Sequence, residues 1–190
     1  MPLYNKTLLH IHIPKTGGTS ITQTLKDQGV SVEYFDKANA EQYGGVPPQH
    51  MTIEYTKKFF DLKDTSAFAV IRNPWHRTVS EYVWRTKSDN FLDLNSWIKE
   101  VLTNINHQEY ANHLVPQHRF YNDDVKTFRY DKWNDICNFI ANKLDINLEI
   151  TTRKQQRLEY KPPMISVLDK DVRSLWESFY SIDLESFDSL

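Results

Sequence analysis

Between an apolar run, Thr7–Ile13, and a helical pattern that begins at Thr19 lies the turn Pro14-Lys15-Thr16-Gly17-Gly18-Thr19-Ser20. The run is β-branched and bounded by Pro14 and a glycine pair, so it reads as a buried strand entering a tight loop. Ile21, Thr24 and Leu25 recur at helical spacing, and Gly29 ends that helix. Strand, glycine turn and helix in this order aim unpaired amides and the positive end of the helix dipole at one point, which makes a site for an anion. Gly17 and Gly18 allow close backbone approach, and Thr19 and Ser20 add hydroxyl donors.

The turn departs from the common nucleotide-binding loop G-x-x-x-x-G-K-[ST]. Laid on that pattern, His12 takes the place of the first glycine and Gly18 that of the lysine. The lysine stands earlier, at position 15.

The remaining chain alternates strand and helix signals. Val30–Phe35 and Ala67–Ile71 read as strands, as does Val125–Tyr130. Helices are expected over Met51–Phe60, with Ile53, Phe59 and Phe60 inward, and from Pro74 to about Lys87, capped by Asn73. Phe91–Leu102, Asp131–Leu144 and Asp169–Phe187 are further amphipathic helices, the last with Leu175, Phe179, Ile182 and Phe187 facing in. Residues 36–50, 103–124 and 151–163 read as loops, the second with one short helix. Such alternation implies an α/β protein with a mainly parallel central sheet flanked by helices on both faces. No repeat or linker divides residues 1–190, so one domain is expected.

A second anion signal follows the strand at 67–71. Arg72 leaves the strand at the sheet edge where ligands bind in parallel α/β folds. Ser80 lies about two turns into the next helix, and a guanidinium fork with a hydroxyl suits a terminal phosphate. Arg77 either joins them or pairs with Glu81. Trp75 stacks on a base or anchors its helix, and the anchor is favoured.

Together, Ile13-Pro14-Lys15-Thr16-Gly17-Gly18-Thr19-Ser20 and Phe68-Ala69-Val70-Ile71-Arg72-Asn73-Pro74-Trp75, with Arg77 and Ser80, resemble the 5′-phosphosulfate and 3′-phosphate motifs of sulfotransferases, particularly the broad family that includes carbohydrate sulfotransferases. Gln49-His50, Pro116-Gln117, and Asp183 with Phe187 are weaker echoes. Arg129-Tyr130-Asp131-Lys132-Trp133 stands where the family often has Arg-x-Glu-Asn-Leu, and an Asn-x-Ser element is not evident around 147–160. The resemblance implies a three-layer P-loop fold and transfer of a sulfonate from 3′-phosphoadenosine 5′-phosphosulfate to a hydroxyl, with a glycan as acceptor and adenosine 3′,5′-bisphosphate as product. It implies that Lys15 meets charge on the leaving phosphate oxygen. Thr16, Gly17, Gly18, Thr19 and Ser20 hold the 5′-phosphate, and Arg72 and Ser80 hold the 3′-phosphate. His50 resembles a histidine that serves as base in part of the family, and His118 is the reserve. The basic segment Arg153–Lys161 closes over the 3′-phosphate, meets an acidic acceptor, or is a solvated loop; Arg153 is its candidate cofactor-binding residue. A P-loop kinase or hydrolase, and a non-catalytic module for the bisphosphate or a sulfated glycan, are the alternatives.

Bulk properties limit the partners. A net charge of −2 supplies no global field for nucleic acid or anionic lipid, so an anion site must be local. Cys137 is the single cysteine and cannot form an intramolecular disulfide; its place on an apolar helix stripe reads as core. No apolar run reaches the length of a membrane span, and a cytoplasmic protein is expected. No cluster has metal-ligand spacing, so no metal is expected. His10 and His12 alternate with isoleucines and read as packed residues.

Overall fold

Tyr4-Asn5-Lys6-Thr7 turns the chain back on itself, with φ of 46° at Asn5 and 59° at Lys6. Positive φ at these two residues lets the three-residue connection Asn5–Thr7 reverse the chain between paired Tyr4 and Leu8. The computed structural model describes residues 1–35, 41, 45, 47–62, 65–86, 92–104, 110–148 and 162–189. The turn joins β1 (Leu3–Tyr4) to β2 (Leu8–Ile11), and β3 (Val32–Glu33) pairs with β1. With β4 (Ser66–Ile71) and β5 (Lys126–Arg129) they form one five-stranded sheet in the order β3-β1-β2-β4-β5. β2, β4 and β5 run parallel, with Ile11 opposite Ala69 and Ile71 opposite Arg129. β1 is antiparallel to both its neighbours while the other four strands share one direction, so the sheet is mainly parallel, as expected, with one antiparallel strand that the sequence did not reveal. With two residues, β1 is too short to show a period in the sequence.

Helices α1 (Gly18–Asp27), α2 (Ile53–Thr56), α3 (Pro74–Arg85), α4 (Leu94–Thr103), α5 (Trp133–Leu144), α6 (Lys170–Phe179) and α7 (Ser181–Asp188) complete the described residues. Strand alternation sorts β4 between two faces. Phe68 and Val70 pack with Leu8, Ile21 and Leu25 of α1 and Ile136 and Ile140 of α5. Ala67, Ala69 and Ile71 pack on the opposite face with Ile11, Ile13, Met51, Val115 and Phe120. Each fully buried Leu, Ile or Phe contributes about 1.5–3 kcal/mol, so this strand is firmly placed and its end is a rigid mount for Arg72. A third cluster joins α3, α4 and α6 through Trp75, Val79, Ile98, Val101 and Trp176. Trp75 is the anchor: its ring meets Trp176 edge-on at 5.5 Å and its Nε1 donates to Pro163 O at 2.6 Å.

Asn73 caps α3 as expected, its Oδ1 accepting from His76 N at 3.1 Å, with Pro74 at the first helical position. Other expectations fail. The helix over Met51–Phe60 shrinks to α2, and Phe59 is 48% exposed. The strand over Val30–Phe35 shrinks to β3. The helix over Asp169–Phe187 breaks at Tyr180, whose φ of −106° and ψ of 18° leave the helical range. Tyr180 is buried and its hydroxyl donates to Leu114 O at 2.9 Å. The break turns Asp183 inward and leaves Ile182 53% exposed. Cys137 is half-buried at the edge of α5's apolar stripe rather than in the core.

Candidate active site

Ile13 carries the chain from β2 into the turn, where Thr16 Oγ1 donates to Ile13 O at 2.8 Å and Thr16 is fully buried. Lys15 has φ of 69° and Gly17 φ of 88°, so two left-handed residues curl the loop under the start of α1. Ser20 and Ile21 amides return to Gly17 O at 2.9 and 3.2 Å, while the first-turn amides above them have no partner inside a helix by construction. The turn is walled closely. A Cβ on Gly17 would stand 2.8 Å from the Trp133 ring and 3.2 Å from Tyr130, and one on Gly18 would stand 2.2 Å from His12.

β4 lies beside β2, so Arg72 emerges next to the loop. Its Nη1 donates to Lys15 O at 3.1 Å, and its guanidinium lies 4.6 Å over the Tyr130 ring. The Gln117 side chain holds the Arg72 peptide at both ends, accepting from its N–H at 3.0 Å and donating to its carbonyl at 2.8 Å. Burial pulls the guanidinium pKa below the ordinary arginine value, with Tyr130 acting the other way. Arg72 Nε is buried and has no hydrogen-bond partner among the described residues. Ser80 is half-buried on α3 and makes no hydrogen bond to Arg72 among them. Arg77 neither joins that pair nor meets Glu81. It is 3% exposed and works as a strut, Nε donating to Pro14 O at 3.0 Å and Nη2 to His113 O at 2.7 Å.

Lys15 Nζ lies 3.9 Å from Glu81 Oε2 and 4.9 Å over the Trp84 ring. Glu81 also accepts from Arg85 Nε at 2.6 Å and pairs with His113 Nδ1 at 2.8 Å. Burial pushes its pKa up, but the His113 hydrogen bond and the charges of His113, Lys15 and Arg85 outweigh this and hold it below the usual value. His50 is 6% exposed, with Nδ1 3.2 Å from Ala111 O, and its ring meets those of His12 and His113 edge-on at 5.0 and 4.8 Å. His118 sits elsewhere, Nδ1 2.8 Å from Asp183 Oδ1. His10 is packed, stacked on Phe68 at 4.4 Å, with Nδ1 3.0 Å from the Tyr4 hydroxyl. His12 is buried too but borders Gly18. Arg153 lies outside the described residues.

The structure joins Lys15 and Arg72 and sets His50 beside His12 and His113; around them it places Glu81 and His113, to which the sequence reading gave no part in the site, and Gln117, which it gave only as a weak echo. Glu81 and Arg85 carried a weak signal, opposite charges four apart on a helix. His113 carried none beyond its place in a polar stretch.

The family model described as "Sulfotransferase family" matches residues 4–188. The chain belongs to the sulfotransferase family. Comparison with curated proteins and with solved structures returned no match. As a sulfotransferase it is a transferase of sulfonate groups, and the match takes in α1 through α7 along with the glycine turn and Arg72. Among its described residues no helix is long and apolar enough to cross a membrane. No group of three or more His, Cys, Asp or Glu among them is placed to hold a metal ion.

Proposed function

We propose that this sulfotransferase is a single P-loop-type domain that moves the sulfonate of 3′-phosphoadenosine 5′-phosphosulfate to a hydroxyl, on a carbohydrate, by in-line transfer. The reading is carried by the 3.1 Å hydrogen bond from Arg72 Nη1 to Lys15 O, which joins the two anion motifs at the ends of neighbouring parallel strands. One nucleotide carrying phosphates at both ends then has a cation for each. The residues fit such a donor: the glycines leave no side chain in the turn, and a buried guanidinium N–H without a partner calls for an acceptor such as a phosphate oxygen.

In this reading the backbone of Thr16, Gly17, Gly18 and Thr19 and the Ser20 hydroxyl hold the 5′-phosphate. Arg72 and Ser80 hold the 3′-phosphate, and Arg153 adds to it. The acceptor oxygen bonds to sulfur as the bridging S–O bond breaks, and the electron pair stays on the 5′-phosphate oxygen. Lys15 meets that charge, and His50 takes the acceptor's proton. Positioning and charge stabilisation carry the rate, as in phosphoryl transfer. The choice of a glycan rests on the family resemblance, and a cytoplasmic location on the lack of an apolar run of membrane-span length, with which a single cysteine is in keeping.

Calorimetric titration tests the donor. Adenosine 3′,5′-bisphosphate should bind equally with and without Mg²⁺ and displace ATP; metal-dependent preference for ATP would instead make this a kinase or hydrolase. A glycan panel offered with ³⁵S-labelled donor tests the acceptor. Bisphosphate binding without label transfer to any acceptor, or to water, marks a binding module.

A further inference from the structure

Glu81 is 1% exposed and belongs to neither anion motif, yet it touches groups on both sides of the proposed reaction. Its Oε2 lies 3.9 Å from Lys15 Nζ and 2.8 Å from His113 Nδ1. A carboxylate at the second distance keeps the His113 proton on Nδ1, which leaves the lone pair on Nε2. The His113 ring meets His50 edge-on at 4.8 Å and lies tilted by 31° against Trp84 at 5.4 Å. Arg77 ties the His113 carbonyl to the Pro14 carbonyl, so imidazole and lysine ride on one braced unit.

We propose that Glu81 is a positioning residue that orients His113 as a second imidazole in the path of the acceptor proton, while holding Lys15 on the leaving-group side. This rests on the sulfonate-transfer reading. The proton leaves the acceptor oxygen as the O–S bond forms, is taken by His50, and passes to Nε2 of His113. There the positive charge faces the Glu81 carboxylate, as a buried carboxylate supports the imidazolium of a catalytic triad. The groups that face His113 are Glu81 and Trp84 from α3, Lys15 beyond Glu81, and His50 with His12 behind it. The Arg77 guanidinium lies on its carbonyl, and Arg85 on the far oxygen of Glu81.

Two measurements on the intact protein test this without the natural acceptor: ¹⁵N NMR of the imidazoles, and hydrolysis of ³⁵S-labelled donor with water as acceptor. His113 is expected in the Nδ1–H form. Glu81→Gln removes the charge and keeps the shape, so His113 should lose its preference for the Nδ1–H form and show a mixture of tautomers. Turnover should drop with it by about tenfold or more. A purely structural role would lower turnover with the His113 tautomer unchanged, and an unchanged tautomer overturns the proposal. Should Glu81→Gln fail to fold, His113→Gln decides: full turnover overturns the proposal, and a loss of about tenfold with donor affinity kept supports it. Bisphosphate titration of the same samples separates the two levels. A parent protein that binds none sinks the sulfonate-transfer reading, whereas binding with an unchanged His113 tautomer in Glu81→Gln sinks the Glu81 role alone.

Discussion

Gly18 has no side chain because His12 occupies the place where one would go. A Cβ there would stand 2.2 Å from His12 Cδ2, and the His12 ring is held between His10 at 5.4 Å and His50 at 5.0 Å. Gly18→Ala must shift a buried ring, which should cost about 1–3 kcal/mol. In a chain of this length that lowers Tm by roughly 2–4 °C per kcal/mol. Bisphosphate affinity should fall with it; an unchanged Tm in a melting experiment would mean the ring yields freely. Lys15 presents the opposite case, a side chain kept at a backbone cost. Its φ of 69° lies in the left-handed region, which costs a non-glycine residue about 1–2 kcal/mol. Lys15→Gly relieves that strain against a greater unfolded-state entropy of about 0.5–1 kcal/mol, so Tm should stay near the parent's. Turnover should nevertheless fall by about 10²-fold or more, the usual loss of one charge-stabilising group. Retained turnover in the labelled-donor assay would remove Lys15 from the chemistry. Both motif residues were legible in the sequence because each sits in a local pattern: a glycine turn for Lys15, a strand end before Asn73-Pro74 for Arg72. Glu81 and His113 were not, because their partnership spans 32 residues and exists only once the chain has folded.

At the scale of elements, α7 positions Arg72 without touching it. Asp183 accepts from Gln117 N at 2.6 Å, His118 N at 2.9 Å and His118 Nδ1 at 2.8 Å, fixing the short turn Gln117–Phe120. Gln117 then holds both ends of the Arg72 peptide. Asp183→Ala strands buried donors at about 1–3 kcal/mol each, so it should destabilise the fold and weaken bisphosphate binding together. Gln117→Ala should weaken binding in the same way. The two losses should be clearly less than additive in a double-mutant cycle, since each breaks the same chain of support. Additive losses would show that Asp183 acts on Arg72 by another route or not at all. The sequence foretold β2, β4, α1, α3 and α5 because their apolar periods are several residues long, and α1 and α3 also begin at a glycine and at a capping asparagine. It concealed β1, which is two residues long, and overran β3, of which only Val32–Glu33 is strand. The break at Tyr180 was hidden as well: no Gly or Pro marks it, and the apolar spacing runs on through it. There the Tyr180 and Asp183 contacts override local helix preference.

For the molecule as a whole, the buried histidines of β2 and the segment after it make stability depend on pH. Burial, with the nearby amino terminus acting the same way, lowers the His10 pKa to about 3. His12 is likewise held well below the usual value, by burial first and then by His50, His10, the amino terminus and His113. Both rings are therefore neutral in the folded state, while in the unfolded chain each takes a proton near pH 6.5. Below pH 6.5 the unfolded state binds more protons, so stability falls as pH falls, by about 1.4 kcal/mol per pH unit for each histidine. Glu81 works in the same direction lower down. Its depressed pKa lends stability that is present above its ordinary value of 4.5 and lost as pH falls through the folded value. Denaturant unfolding should therefore lose about 3–4 kcal/mol between pH 7 and pH 5, and His10→Phe should roughly halve that slope. Stability that stays flat to pH 5 would show that these rings take up protons inside the fold. Because β2 delivers the glycine turn and His12 borders Gly18, acid should remove the fold and the anion site together. Bisphosphate affinity, corrected for the folded fraction and for protonation of the ligand's own phosphates at about pH 6, should then hold steady down to the unfolding midpoint. An earlier decline would mean that the site opens before the core does.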